Sequence, residues 1–117
     1  MILVIGGAYS GKTDFVISKL GYGRNEISDS LDCDAPVLSN FHLLLKEHDD
    51  IGQLMGKLSE KKVVICDEVG CGVIPIDKAD REWRERVGRI CCRLAESADA
   101  VVRLNCGVAA VIKGEIK

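Results

Sequence analysis

Apolar residues along this chain follow two alternating rhythms. Residues 2–5 (ILVI) form an unbroken, β-branched-rich run closed by Gly6-Gly7, the pattern of a strand buried on both faces. After a short glycine-bearing turn the period lengthens, and Phe15, Val16, Ile17 and Leu20 predict a helix that Gly21 and Gly23 stop. Residues 24–35 (RNEISDSLDCDA) are polar and suit either a short edge strand or a loop. Pro36 is well placed at a helix start, with Leu38, Phe41, Leu44 and Leu45 on one helical face. A further helix is expected over 51–58. The run Val63-Val64-Ile65-Cys66, closed by Asp67-Glu68, reads as a second fully buried strand. Residues 69–76 carry Gly70, Gly72 and Pro75 and are predicted to be loop. The helical period returns over 77–97, where Trp83, Val87, Ile90, Cys91, Leu94 and Ala98 make an apolar stripe and Arg86, Arg89 and Arg93 lie on another face. Residues 100–104 and 108–112 read as strands joined through Asn105-Cys106-Gly107, a return tight enough for an antiparallel hairpin. Strands alternating with helices predict one three-layer α/β domain over residues 1–117, its sheet mostly parallel apart from the C-terminal hairpin.

The turn after the first strand carries chemistry. Gly6-Gly7-Ala8-Tyr9-Ser10-Gly11-Lys12-Thr13 fits the phosphate-loop spacing, between the strand and helix that such a loop requires. Its glycines let backbone N–H groups converge on phosphate oxygens, assisted by the positive end of the helix. In that role Lys12 reaches the β- and γ-phosphates and the Thr13 hydroxyl helps to hold Mg²⁺. The domain is therefore expected to resemble P-loop NTPases and to bind ATP or GTP through residues 6–13. A second acid must complete such a metal site, and the end of a buried strand is where it belongs. Asp67 and Glu68 are adjacent, so on an extended chain they face opposite ways and only one can point at the metal. The hydrophobic pattern favours Asp67; the other acid is free to act as general base or to bond the following glycine loop.

Composition narrows the partners. A formal net charge of -2 gives no broad basic field for nucleic acid or an anionic membrane. The apolar runs fall far short of the roughly 18–20 residues of a membrane span, and no basic segment precedes the first strand as in a secretory signal. The six cysteines form no CxxC pair and no zinc-ribbon spacing, so reduced thiols used as small core residues in a cytoplasmic protein are expected. His42 and His48 lie in the stretch 41–49 read as helix and are expected to be surface or helix-face side chains.

Beyond the loop, Asp67-Glu68-Val69-Gly70-Cys71-Gly72-Val73-Ile74-Pro75 resembles the Asn-Glu-Val-Gly-x-Gly-Ile-Val-Pro signature of the adenosylcobinamide kinase/adenosylcobinamide-phosphate guanylyltransferase family. Trp83-Arg84-Glu85, Gly88-Arg89 and Leu94-Ala95 are similar to that family's pattern on the following helix. Asp32-Cys33 and Leu38-Ser39-Asn40 keep the spacing of its Asp-Cys-x-x-x-x-Leu-Ser-Asn segment. The resemblance implies phosphorylation of the aminopropanol hydroxyl of adenosylcobinamide in cobalamin biosynthesis, with Asp32 the acid on the metal side and Glu68 a second acid near the phosphates. It also implies a homo-oligomer, commonly a trimer. Candidate catalytic residues are thus Lys12, Glu68 and Asp67, and candidate metal ligands Thr13, Asp32 and Asp67.

Departures from the family pattern qualify that implication. Nothing here matches the His-Arg-x-x-Arg element that carries the guanylyl group, so guanylyl transfer is not expected. Tyr9 stands where the family has arginine, and Cys91-Cys92 where it has Asn-Gln. Two other readings of the cradle stay open: a catalytically silent nucleotide-binding subunit or sensor, and a small-molecule kinase of another pathway.

Overall fold

In a computed structural model, residues 1–7, 9–30, 34–47, 51–68 and 77–116 are described. Strands β1 (Ile2–Gly6), β2 (Ile27–Ser28), β3 (Val37–Leu38), β4 (Val63–Asp67), β5 (Ala100–Asn105) and β6 (Val108–Lys113) form one sheet in the order β2-β3-β4-β1-β5-β6. All neighbours are parallel except the β5–β6 hairpin. The helices are α1 (Lys12–Ser18), α2 (Phe41–Glu47), α3 (Ile51–Leu58) and α4 (Lys78–Ser97), with a short 3₁₀ turn at Arg24–Glu26.

Alternation along the strands sorts side chains into two cores. Leu3, Val64 and Val101 stand level with one another and pack with Phe41, Leu45, Leu54, Leu58, Val87, Ile90 and Leu94 from α2, α3 and α4. Their neighbours Val4, Ile65 and Val102 point the other way, onto Val16 and Phe15 of α1. The result is three layers, as the alternation of periods predicts, with the mostly parallel sheet and terminal hairpin of a P-loop-like fold. Asp77 caps α4, its Oδ1 accepting from the Ala79 N–H at 2.8 Å.

The hairpin turns through Cys106 and Gly107 at φ 50° and 79°, the left-handed pair that a two-residue return requires. Its tip reaches back to the cradle, where the Gly107 N–H donates to the Ser10 carbonyl at 2.8 Å.

Pro36 does not start a helix. Val37 and Leu38 are strand, wedged between β2 and β4, and the Pro36 carbonyl accepts from the N–H groups of Lys62 (2.9 Å) and Val63 (3.2 Å). Asn40, at φ 54°, turns the chain, and α2 begins only at Phe41. Leu38, Phe41 and Leu45 do share one core, so their helical spacing holds across a strand, a turn and a helix. Pairing on both sides, with β2 and with the buried strand β4, outweighs the local preference of a proline followed by apolar residues. The 24–35 stretch supplies the edge strand β2, and the helix over 51–58 matches its expected limits.

Candidate functional site

The carboxyl ends of β1, β4 and β5 lie level: Gly6 is paired with both Asp67 and Leu104. That edge of a parallel sheet is where ligands collect. The loop leaving β1 turns there into α1. Gly6 is required by crowding, because a Cβ on it would meet Ser10 Oγ at 2.5 Å and the Leu104 carbonyl oxygen at 2.7 Å. Gly11 is required by backbone shape, at φ +91°, with the Gly107 Cα only 3.3 Å from where a Cβ would be. Beyond the loop opens a cavity of about 610 Å³. Ser10, Lys12 and Thr13 line it together with Asn40, His42 and Asp67.

Lys12 is buried, at 7% exposure, and its ammonium is held three ways. It donates to the Gly7 carbonyl at 2.6 Å and to Ser10 Oγ at 3.4 Å, and pairs with Asp67 Oδ1 at 2.7 Å. A desolvated lysine is costly unless matched by opposite charge and acceptors, and here it has both. The strand-end acids part as strand geometry dictates. Asp67 is level with Gly6 and Leu104 and faces α1. Glu68 faces away, its Oε2 accepting from Arg103 Nη2 at 2.9 Å, while its N–H donates to the Gly6 carbonyl at 2.7 Å. Glu68 does not line the cavity.

The structure therefore brings together Gly6, Gly7, Ser10, Gly11, Lys12, Thr13 and Asp67. Tyr9, at φ 59°, is fully exposed at the rim. Ala8, Asp32, Cys33, His48 and residues 69–76, expected from the sequence to be loop, lie outside the described residues.

His42 corrects its expectation as a surface or helix-face histidine. It is buried in the first turn of α2, its Nδ1 accepting from the Asp67 N–H at 3.2 Å and its Nε2 standing 3.5 Å from Asp67 Oδ2. Burial pulls the imidazole below its usual range; Asp67 opposes this, and Lys12 and Lys46 add to it. Trp83 of α4 fixes the helix turn, its Nε1 donating to the His42 carbonyl at 2.7 Å. Placing the start of α2 correctly would have revealed His42, because a helix opening after a parallel strand puts its first turn at the ligand-binding edge. Arg103 was equally hidden, one polar residue in an apolar strand. Beneath Asp67, the Cys66 and Cys91 thiols share a hydrogen bond at 3.6 Å; that contact and burial push the Cys66 thiol up.

A parallel sheet feeding a glycine loop, with a buried loop lysine on a strand-end carboxylate, defines a phosphate-loop α/β domain. Within that class, the chain belongs to the cobinamide kinase/cobinamide phosphate guanyltransferase family, whose profile matches residues 30–112. The match takes in His42, Asp67 and Glu68 but begins beyond residues 6–13. No curated protein gives a match to the chain. Members of this family are nucleotide-utilising enzymes of cobinamide modification. Among the described residues, no helix is long and apolar enough to cross a membrane.

Proposed function

We propose that this protein is a kinase that transfers the γ-phosphoryl group of ATP or GTP to the aminopropanol hydroxyl of adenosylcobinamide, a step in cobalamin biosynthesis. One observation carries the reading: buried Lys12 paired with half-buried Asp67 in the lining of a cavity, in a chain of this family. The residues suit Mg²⁺, because Asp67 and Thr13 offer hard oxygen donors beside the cradle, and the Lys12 ammonium already shows that Asp67 Oδ1 takes a cation. When bound there, Mg²⁺ would supply charge neutralisation for the phosphate oxygens.

The remaining work falls to the chain itself. Backbone N–H groups of the loop bind the phosphates, and Lys12 exchanges Asp67 for the β- and γ-oxygens, where it offsets charge as the phosphoryl group moves in line. Asp67 Oδ1, released by Lys12, would be one of the oxygens that hold the metal. The rest of the cavity lining, Asn40 and Leu43 among it, gives the acceptor alcohol its place beside the cradle, an entropic contribution to rate. The alcohol oxygen bonds to the γ-phosphorus as the bond to the β–γ bridging oxygen breaks, so that ADP or GDP leaves and the alcohol proton passes to water. The reading covers phosphoryl transfer and not guanylyl transfer, because the sequence has no His-Arg-x-x-Arg element.

A second reading, a nucleotide-binding subunit without catalysis, is favoured by the engagement of Glu68 with Arg103, away from the cavity. Incubation with γ-labelled ATP, Mg²⁺ and adenosylcobinamide separates them. Label in the corrinoid supports the kinase, and nucleotide binding with no transfer to any acceptor supports the silent subunit. Transfer only to other alcohols assigns the protein to another pathway.

A further inference from the structure

The two oxygens of Asp67 are held by different groups. Oδ1 takes the Lys12 ammonium at 2.7 Å, whereas Oδ2 faces His42 Nε2 at 3.5 Å. Because the Asp67 N–H donates to His42 Nδ1, that nitrogen carries a lone pair, and the ring hydrogen of the neutral imidazole sits on Nε2, toward the carboxylate. The ring itself has little freedom. It is 6% exposed, and its backbone carbonyl is tied to Trp83 Nε1 at 2.7 Å. One imidazole thus accepts from the backbone N–H of Asp67 and stands 3.5 Å from its carboxylate, at the outer limit of a hydrogen bond.

We propose that His42 is a positioning residue that holds Oδ2 of Asp67 so that Oδ1 stays aimed into the cradle once Lys12 has moved to the phosphates. This rests on the nucleotide-binding reading above and deepens it. Without His42, Asp67 loses its orienting donor at the moment it loses its cation, and its carboxylate is free to rotate away. The consequence is confined to the metal: the loop N–H groups and Lys12 still take the phosphates, but Mg²⁺ adds less to their grip. Partners of this kind, behind a metal-binding carboxylate, change metal affinity by about 10–100-fold.

The test compares binding of a fluorescent N-methylanthraniloyl-ATP in EDTA and in saturating Mg²⁺. The wild-type protein and His42→Ala, His42→Gln and His42→Asn variants are each first checked for a cooperative thermal transition. The readout is the ratio of the two affinities. Gln can offer an N–H to Oδ2 from near the Nε2 position, whereas Asn can replace only the acceptor at Nδ1. Expected results are a metal-free affinity shared by all four proteins, a Mg²⁺ enhancement cut by about tenfold or more in His42→Ala and His42→Asn, and its recovery in His42→Gln. An unchanged enhancement in His42→Ala overturns the inference and leaves the nucleotide reading intact. So does rescue by Asn but not by Gln, which would assign the effect to the backbone bond. A parallel loss of metal-free affinity would mark His42 as structural and overturn it too. If the wild-type protein binds the analogue in neither condition, both the inference and the reading beneath it are lost.

Discussion

Gly6 and Gly7 are adjacent in the loop, yet the structure assigns them different work, and alanine at each position separates the two. A Cβ on Gly6 would lie 2.5 Å from Ser10 Oγ and 2.7 Å from the Leu104 carbonyl oxygen. The serine hydroxyl can rotate aside, at the cost of its contact with Lys12. The Leu104 oxygen is backbone on the neighbouring strand, in register with Gly6, and yields only if β1 and β5 move apart. Overpacking of this kind costs about 1–3 kcal/mol, and the upper half of that range applies where backbone must move. A 117-residue chain unfolds with an entropy of about 0.25 kcal/mol/K, so Gly6→Ala should melt about 8–12 °C below wild type. A Cβ on Gly7 meets nothing within 4 Å, and Gly7→Ala should melt within about 2 °C of wild type, a surface-type change. Differential scanning calorimetry, with urea unfolding at constant slope as a check on two-state behaviour, measures both. Equal melting points for the two variants, or a Gly6→Ala shift under 2–3 °C or so, would refute this account of the strand–loop junction.

Lys12→Met and Asp67→Asn, alone and together, should give a double-mutant coupling of about 1–2 kcal/mol in urea unfolding, reduced by the partial exposure of Asp67; no coupling would dissolve the pair. Burial holds the His42 imidazole below 6.5, so the unfolded chain takes up that proton first as pH falls. Its contribution is present above pH 6.5 and is lost below it as pH approaches the folded value. His42→Gln should therefore flatten the stability-against-pH curve on the acid side, and an unaltered curve would contradict the burial argument. In alkylation followed by peptide mapping, exposed Cys92 and Cys106 should label well before Cys66, whose thiol is buried and pushed up; early labelling of Cys66 would show that β4 opens readily.

Much of this architecture is legible in the sequence, because long elements carry their burial as a period. The apolar runs of β1 and β4, the stripe of α4 and the tight return at Cys106-Gly107 all declare themselves. Strands of two residues do not. Val37-Leu38 is too short to show alternation, and Pro36 beside it mimics a helix start, so β3 and the true beginning of α2 are hidden. The site divides the same way. The cradle is local and its spacing readable, and strand parity resolves Asp67 from Glu68 once the sheet is known. His42 and Arg103 depend on contacts 25 and 35 residues away in sequence, which no local pattern reports.

The central claim is that the loop from Gly6 to Thr13 grips the polyphosphate of a purine nucleotide, with Lys12 leaving Asp67 to do so. Isothermal titration of the protein with Mg·ATP and Mg·GTP, beside a Lys12→Ala control that retains its melting transition, tests it most directly. The account predicts a single-site heat with at least one of the two nucleotides, abolished in the control. Absence of heat with both, or equal binding by Lys12→Ala, would contradict it.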